Sequence, residues 1–135
     1  MNKKKVESYT YAIGRRKRST ARIRLHKGKG QTLVNDLPIS EYFRGIYAVS
    51  YLKPFDITKT TGKYYVTARI EGGGTEGQVG AFIHGISRAL VKENPEEFKP
   101  LLRAANLLTR DPRERERRKF GNAQKARARK QSPKR

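Results

Sequence analysis

Four consecutive cations, Arg15-Arg16-Lys17-Arg18, follow Gly14, and Arg22 and Arg24 continue the series at alternate positions. Arginine presents a planar fork that grips phosphate with two hydrogen bonds and stacks on bases. A line of such side chains matches phosphates spaced along a nucleic-acid backbone, each contact releasing counterions. A basic edge strand that merely discourages aggregation needs one or two lysines, not this many arginines. Tyr9 and Tyr11 precede the run, with rings that either stack on bases or pack.

A second group, Gly72-Gly73-Gly74-Thr75-Glu76-Gly77, spells the G-x-G-x-x-G of dinucleotide-binding turns. That chemistry needs a second parallel strand ending in an acid about 20 residues on. The segment there, Glu93-Asn94-Pro95-Glu96, is preceded only by a helical pattern. Gln78 stands where a phosphate-binding lysine would follow Gly77, so the nucleoside triphosphate variant fails too. What survives is a loop whose free N–H groups at a helix start favour an anion. Gly73, Gly74 and Gln78 then read as contacts to a backbone phosphate of RNA, against the alternative of a purely structural turn.

Groups suited to catalysis are sparse. His84 stands beside Gly85 on a helical stretch, and no serine, cysteine or carboxylate is spaced to complete a triad with it. It reads as a packing or hydrogen-bonding residue. The other histidine, His26, is far away and has no acidic cluster beside it, so no metal site is expected. The absence of cysteine excludes disulfide scaffolds, thiol nucleophiles and zinc ribbons. Glu93, Glu96 and Glu97 gather at a helix boundary, where acids serve the helix dipole. Neither an enzyme nor a cofactor is expected.

The third group is the chain's end. Residues 110–135 hold twelve cations, eight of them arginine, against three acids. Asp111 as cap, Pro112 in the first turn and Glu114 three residues after the cap predict a short helix over 112–120, closed by Gly121. Glu114 also precedes Arg118 by four, the favourable spacing for an ion pair. From Asn122 onward nothing apolar exceeds alanine, so the segment is expected to order only on a partner. Ala123, Ala126 and Ala128 keep it slim enough for a narrow channel.

These groups must be held by a small body. The chain has 135 residues and a formal charge of +20, which implies a polyanionic partner, nucleic acid or an anionic membrane surface. The distribution is uneven: residues 1–24 carry nine basic side chains and one acid, while residues 25–109 carry eleven and eight. Most of the charge therefore lies at the two ends. No apolar run approaches the roughly 18 residues of a membrane span, and Met1-Asn2-Lys3-Lys4-Lys5 is not followed by a secretory apolar segment.

Along the body, Tyr9–Ile13 reads as a strand broken by Gly14. Ser19–Leu25 alternates as a second strand, and Gln31–Val34 after the Lys27–Gly30 turn completes a hairpin with it. Asn35-Asp36 turns the chain into a short helix from Pro38 to Phe43. Residues 46–57 are ambiguous, with Pro54 ending whatever precedes it. Tyr64–Glu71 alternates as a half-buried strand. Helices are predicted from Gly77 to Lys92 and from Glu96 to about Leu107, the latter burying Phe98, Leu101 and Leu102. The order implies an α+β fold, a small mixed sheet with helices on one face. The organisation read is a basic extension (1–8), an α+β body (9–109) and a basic tail (110–135).

Five blocks together resemble a known family. They are Gly14-Arg15-Arg16-Lys17-Arg18-Ser19-Thr20-Ala21-Arg22, Asn35-Asp36-Leu37-Pro38-Ile39-Ser40-Glu41-Tyr42-Phe43, the run Gly72–Ala81, the run His84–Leu90, and Leu108-Thr109-Arg110-Asp111-Pro112-Arg113. In collinear order over 9–135 they are similar to the universal small-subunit ribosomal protein nine family, in bacterial form. The resemblance implies a body related to the second domain of ribosomal protein five, with a left-handed crossover. It implies a cytoplasmic place in the head of the small ribosomal subunit, on the 3′ major domain of its RNA and beside neighbouring head proteins, with no membrane. The tail is implied to reach peptidyl-site tRNA.

Carried onto this chain, the RNA-binding set is Arg15, Arg16, Lys17, Arg18, Arg22, Arg24, Gly73, Gly74, Gln78, Arg110, Arg113, Arg117, Arg118, Lys119, Lys125, Arg127 and Arg129. The tRNA-binding set is Lys130, Lys134 and Arg135. Family members usually end in Ser-Lys-Arg, whereas this chain has Pro133 between Ser132 and Lys134, which stiffens the tip. Two rival classes remain: a nucleotide-dependent enzyme using the glycine loop, and a free-standing DNA-compacting or membrane-active basic protein.

Overall fold

Two runs of alternating apolar and polar residues, joined at Lys17-Arg18, make the first hairpin. β1 (Thr10–Arg16) and β2 (Ser19–Lys27) pair antiparallel from Thr10↔Leu25 to Arg16↔Ser19. Lys17 turns the chain in the left-handed region, at φ 54°. Gly14 was expected to break the first strand and instead lies inside it, buried. The structure describes residues 9–45, 47–114, 116–118 and 120–121 of the chain, as a computed structural model.

The hairpin expected between β2 and Gln31–Val34 is not formed. β2 pairs instead with β5 (Tyr64–Glu71), antiparallel from Thr20↔Glu71 to Lys27↔Tyr64. β5 offers eight residues with matching alternation, whereas β3 (Leu33–Val34) has only two. β3 is placed on the far side of β5, parallel to it, and folds back on β4 (Leu37–Pro38). Asn35 and Asp36 between them both take positive φ, 50° and 68°, as tight hairpin turns require. The Asn35 side chain then extends the sheet: its amide donates to the Ile70 carbonyl at 3.0 Å and its oxygen accepts from the Ile70 N–H at 2.9 Å. The result is one mixed sheet ordered β1-β2-β5-β3-β4.

Three short helices, α1 (Ile39–Tyr42), α2 (Tyr47–Ser50) and α3 (Lys53–Thr58), link β4 to β5. Pro54 does not end a segment, as expected, but lies in the first turn of α3, where its missing N–H costs nothing. α4 (Thr75–Glu93) follows the glycine loop and packs across β1 and β2. Val79, Phe82, Ile86, Ala89 and Leu90 are buried there against Ala21, Ile23 and Leu25. Each large side chain so buried stabilises the fold by about 1.5–3 kcal/mol.

The close approach of α4 explains Gly14. A Cβ at that position would collide with the Ala81 carbonyl and the Gly85 amide of the helix. α5 (Pro95–Ala104) starts at Asn94, whose side chain accepts from the Glu97 N–H. It buries Phe98 and Leu102, but Leu101, expected in the core, is 44% exposed. One residue is about 100° of helix, which carries Leu101 off the apolar stripe.

The helix expected over 112–120 is absent from the described residues Asp111–Glu114 and Glu116–Arg118. There the Asp111 carboxylate is taken by its own neighbour: it accepts from the Arg113 backbone N–H at 3.0 Å and from the guanidinium at 2.7–3.0 Å. A short cationic segment with no apolar face to bury gains too little to nucleate a helix.

Candidate nucleic-acid interface

Alternation along β2 divides the sheet into two faces. Ala21, Ile23 and Leu25 turn toward α4, while Arg22 and Arg24 point the other way and are exposed. Register then sets Arg22 opposite Arg69 on β5, and Arg15 opposite Thr20. Arg15, Arg18, Thr20, Arg22, Arg69, Glu71 and Gly72 line one shallow depression on this open side. Arg69 is a member that sequence reading left out. Its outward position follows from the alternation of β5, but its place beside Arg22 depends on the unforeseen β2–β5 pairing.

Arg24 leans over the Tyr9 ring, its guanidinium carbon 5.0 Å from the centroid, a cation–π contact. His26 is buried among rings: it stacks on Tyr65 at 4.7 Å and 10°, and Tyr9 meets it tilted at 5.8 Å. It is a packing residue of the sheet face.

The glycine loop stands next to this surface. Gly72 and Gly73 both take positive φ, 76° and 65°, and the Gly72 carbonyl accepts from the Ser19 hydroxyl and the Gln78 amide. Gly74 caps α4 without a side-chain bond. Lys17, Arg18, Gly73 and Gly74 share a depression with Glu114, Glu116, Arg117 and Arg118. Helix-start N–H groups and the cations Lys17, Arg18, Arg117 and Arg118 converge on one space with the carboxylates of Glu114 and Glu116, which leaves it net positive. Gln78 is committed to the fold: besides its bond to Gly72, its oxygen accepts from the Tyr42 hydroxyl at 2.8 Å.

Arg16 differs from its neighbours. Its side chain turns inward over Gly80 and reaches Glu76 at 3.5 Å and Asp111 at 3.8 Å. It joins β1, α4 and the root of the tail. Lys17 also approaches Glu76, at 3.7 Å, and Arg18 approaches Glu114, at 3.8 Å. The acids of the tail root therefore fold back on the cations of the first turn. The Arg113 guanidinium holds the Asp111 carboxyl far below the usual carboxylate range.

His84 closes the other side of β1. Its Nδ1 accepts from the Arg15 N–H at 3.2 Å, which leaves Nε2–H to donate to the Leu108 carbonyl at 3.2 Å. One turn and two turns on, Arg88 donates to the Ile13 carbonyl and Lys92 to the Tyr11 carbonyl, each at 2.7 Å. A row at i, i+4 and i+8 on α4 thus covers the outward backbone groups of the edge strand. Burial lowers the pKa of His84, and the cations of Arg88 and Arg110 push the same way. Arg110 lines the cleft beside this row, together with Tyr11, Ile13 and Arg15 of β1.

Of the expected set, Lys119, Lys125, Arg127, Arg129, Lys130, Lys134, Arg135 and the extension 1–8 lie outside the described residues. Among the described residues no cluster of three or more potential metal ligands occurs, and no helix is long and apolar enough to cross a membrane. The dinucleotide reading of the glycine loop lacks its scaffold, because among the described residues β5 is followed by α4 and then α5 with no second strand.

The family model described as "Ribosomal protein S9/S16" matches residues 14–135. "Small ribosomal subunit protein uS9" of Rickettsia africae (strain ESF-5) is 47% identical over 126 residues, covering 93% of this chain and 78% of the relative. The protein of the same name from Rickettsia rickettsii (strain Sheila Smith) is 46% identical over the same shares.

Proposed function

The chain belongs to the ribosomal protein S9/S16 family, non-enzymatic structural proteins of the ribosome, and from that premise we propose how it serves the small subunit. It docks on ribosomal RNA of the subunit head, in the 3′ major domain, among neighbouring head proteins in the cytoplasm. The body, of the kind found in the second domain of ribosomal protein five, meets RNA through Arg15, Lys17, Arg18, Arg22 and Arg24, with Gly73 and Gly74 offering N–H groups to a phosphate. Arg16 and Gln78 hold that surface together from behind. The tail adds Arg110, Arg113, Arg117, Arg118, Lys119, Lys125, Arg127 and Arg129 along RNA. Lys130, Lys134 and Arg135 contact the backbone of peptidyl-site tRNA.

The observation that carries the reading is the gathering of Arg15, Arg18, Arg22 and Arg69 around one open depression, contiguous through Arg18 with the glycine loop. Support for the tail's part comes from the family match, which runs to residue 135. Binding of the full chain to a 3′ major-domain transcript, followed across salt, tests it. Neutralising roughly six to ten phosphates predicts a loss of about 10³- to 10⁵-fold in affinity between about 50 and about 200 mM salt. A slope near zero would overturn the electrostatic docking.

A further inference from the structure

We propose that the open face of the β1–β2–β5 sheet is a stacking platform for an unpaired RNA segment, with bases on Tyr11 and phosphates on Arg22, Arg24 and Arg69. The inference rests on the RNA-binding reading above and specifies what part of the RNA this face takes. The register puts the outward side chains in rows across the three strands. Tyr11, Arg24 and Thr67 form one row, and Ile13, Arg22 and Arg69 the next. At one end lies the ring series Tyr9, His26 and Tyr65.

The composition of that face selects its occupant. Tyr9, 46% exposed, already carries the Arg24 guanidinium over its ring and His26 against it, so Tyr11, 40% exposed, is the ring offered to a base. Burying such rings against a partner is favourable, and a base offers a π-face of matching size. An RNA duplex offers no free base face at all; it presents phosphates and 2′-hydroxyls. Arginines alone would suffice for a duplex, and the tyrosines among them would be left unused.

Charge points the same way. Arg22, Arg24 and Arg69 are exposed and flank the rings, while Glu71 is the acid at the far row. Asp36 approaches Arg69 at 3.6 Å, but both side chains are well exposed and the pair is screened. Strand spacing of about 4.8 Å lets a nucleotide bridge one ring and the neighbouring guanidinium. The thread of single-stranded backbone and splayed bases is therefore the polyanion this face fits.

The test uses the full-length chain with two probes, a labelled ten-nucleotide oligoadenylate and a mixed-sequence RNA duplex. Tyr11→Ala is expected to weaken the oligoadenylate by about 5- to 150-fold, the range for losing one stacked base. Tyr11→Phe keeps the ring and should stay near wild type. Duplex affinity should change less than about twofold in both variants. The chain has seven tyrosines and no tryptophan, so the part of the oligoadenylate quenching that is lost in Tyr11→Ala and kept in Tyr11→Phe reports stacking on Tyr11.

A second route does not depend on the variant folding. Ultraviolet irradiation of reconstituted small subunits should cross-link wild-type Tyr11 to a nucleotide. Cross-links from Tyr11 to peptide alone would overturn the platform in favour of a protein neighbour. Equal loss for both probes, or loss for neither, would overturn it while leaving RNA binding intact. Failure of the wild-type chain to bind either probe or the 3′ major-domain transcript would instead remove the premise.

Discussion

At Gly14 the backbone of α4 occupies the space that any side chain would need. A glycine in an alternating run suggests an interruption, because glycine weakens strands. In the fold it is the contact point between β1 and α4, where the helix backbone arrives within touching distance. Nothing local in the sequence reveals a neighbour some 70 positions away. Gly14→Ala is expected to lower stability by about 1–3 kcal/mol, since the added methyl must push α4 off the sheet. Urea unfolding should show the shift in midpoint with little change in slope. An unchanged midpoint would mean that α4 is free to yield. Arg16 teaches the same lesson: its type matches its neighbours in the basic run, and only the strand's inward phase and Gly80 beneath it separate its role from theirs.

At the scale of elements, the long periodic ones were legible, while α2, α3, the tail helix missing from the described residues and the strand pairing were not. The alternation of Val66, Ala68 and Ile70, and the helical spacing of Val79, Phe82, Ile86 and Leu90, are local signals. The two elements form where those signals lie. Which strand lies beside β2 depends on closure of a loop of more than thirty residues, and short-range turn chemistry at Gly28-Lys29-Gly30 pointed to the wrong partner. The free edge of β1 was invisible for the same reason, and with it the function of the α4 row His84, Arg88 and Lys92.

His84 gives that row a pH dependence. The neutral ring accepts from Arg15 and donates to Leu108, so it ties an edge strand to the root of the tail. Its folded-state pKa lies below the ordinary 6.5, chiefly through burial, with Arg88 and Arg110 adding to the effect. As pH falls, the unfolded chain therefore takes up this proton first. The clasp's stabilisation is complete above about pH 6.5 and is lost progressively below it, through the lower folded value. Melting temperatures at about pH 7.5 and about pH 5.5 should differ more in the wild type than in His84→Gln, which cannot titrate. Equal drops in the two proteins would show that the clasp does not govern acid sensitivity.

For the whole molecule, what matters is where the +20 resides. That was legible without any fold, because counting charges along a chain requires no knowledge of contacts. The structure adds that Glu76, Asp111 and Glu114 sit against Arg16, Lys17 and Arg18, so the two basic ends meet at one seam of the body. Docking and reach can then be separated by experiment. Removal of Pro133–Arg135 leaves the Arg15–Arg24 stripe, the glycine loop and most tail cations in place, and subunit assembly should proceed as before. Peptidyl-site tRNA binding to the assembled subunits should weaken and lose salt dependence, its slope falling by about one for each phosphate contact removed. Filter binding of labelled tRNA at several salt concentrations reads both effects. Failure of assembly with unchanged tRNA affinity would exchange the roles of body and tip, making the terminal Lys134 and Arg135 part of the RNA anchor.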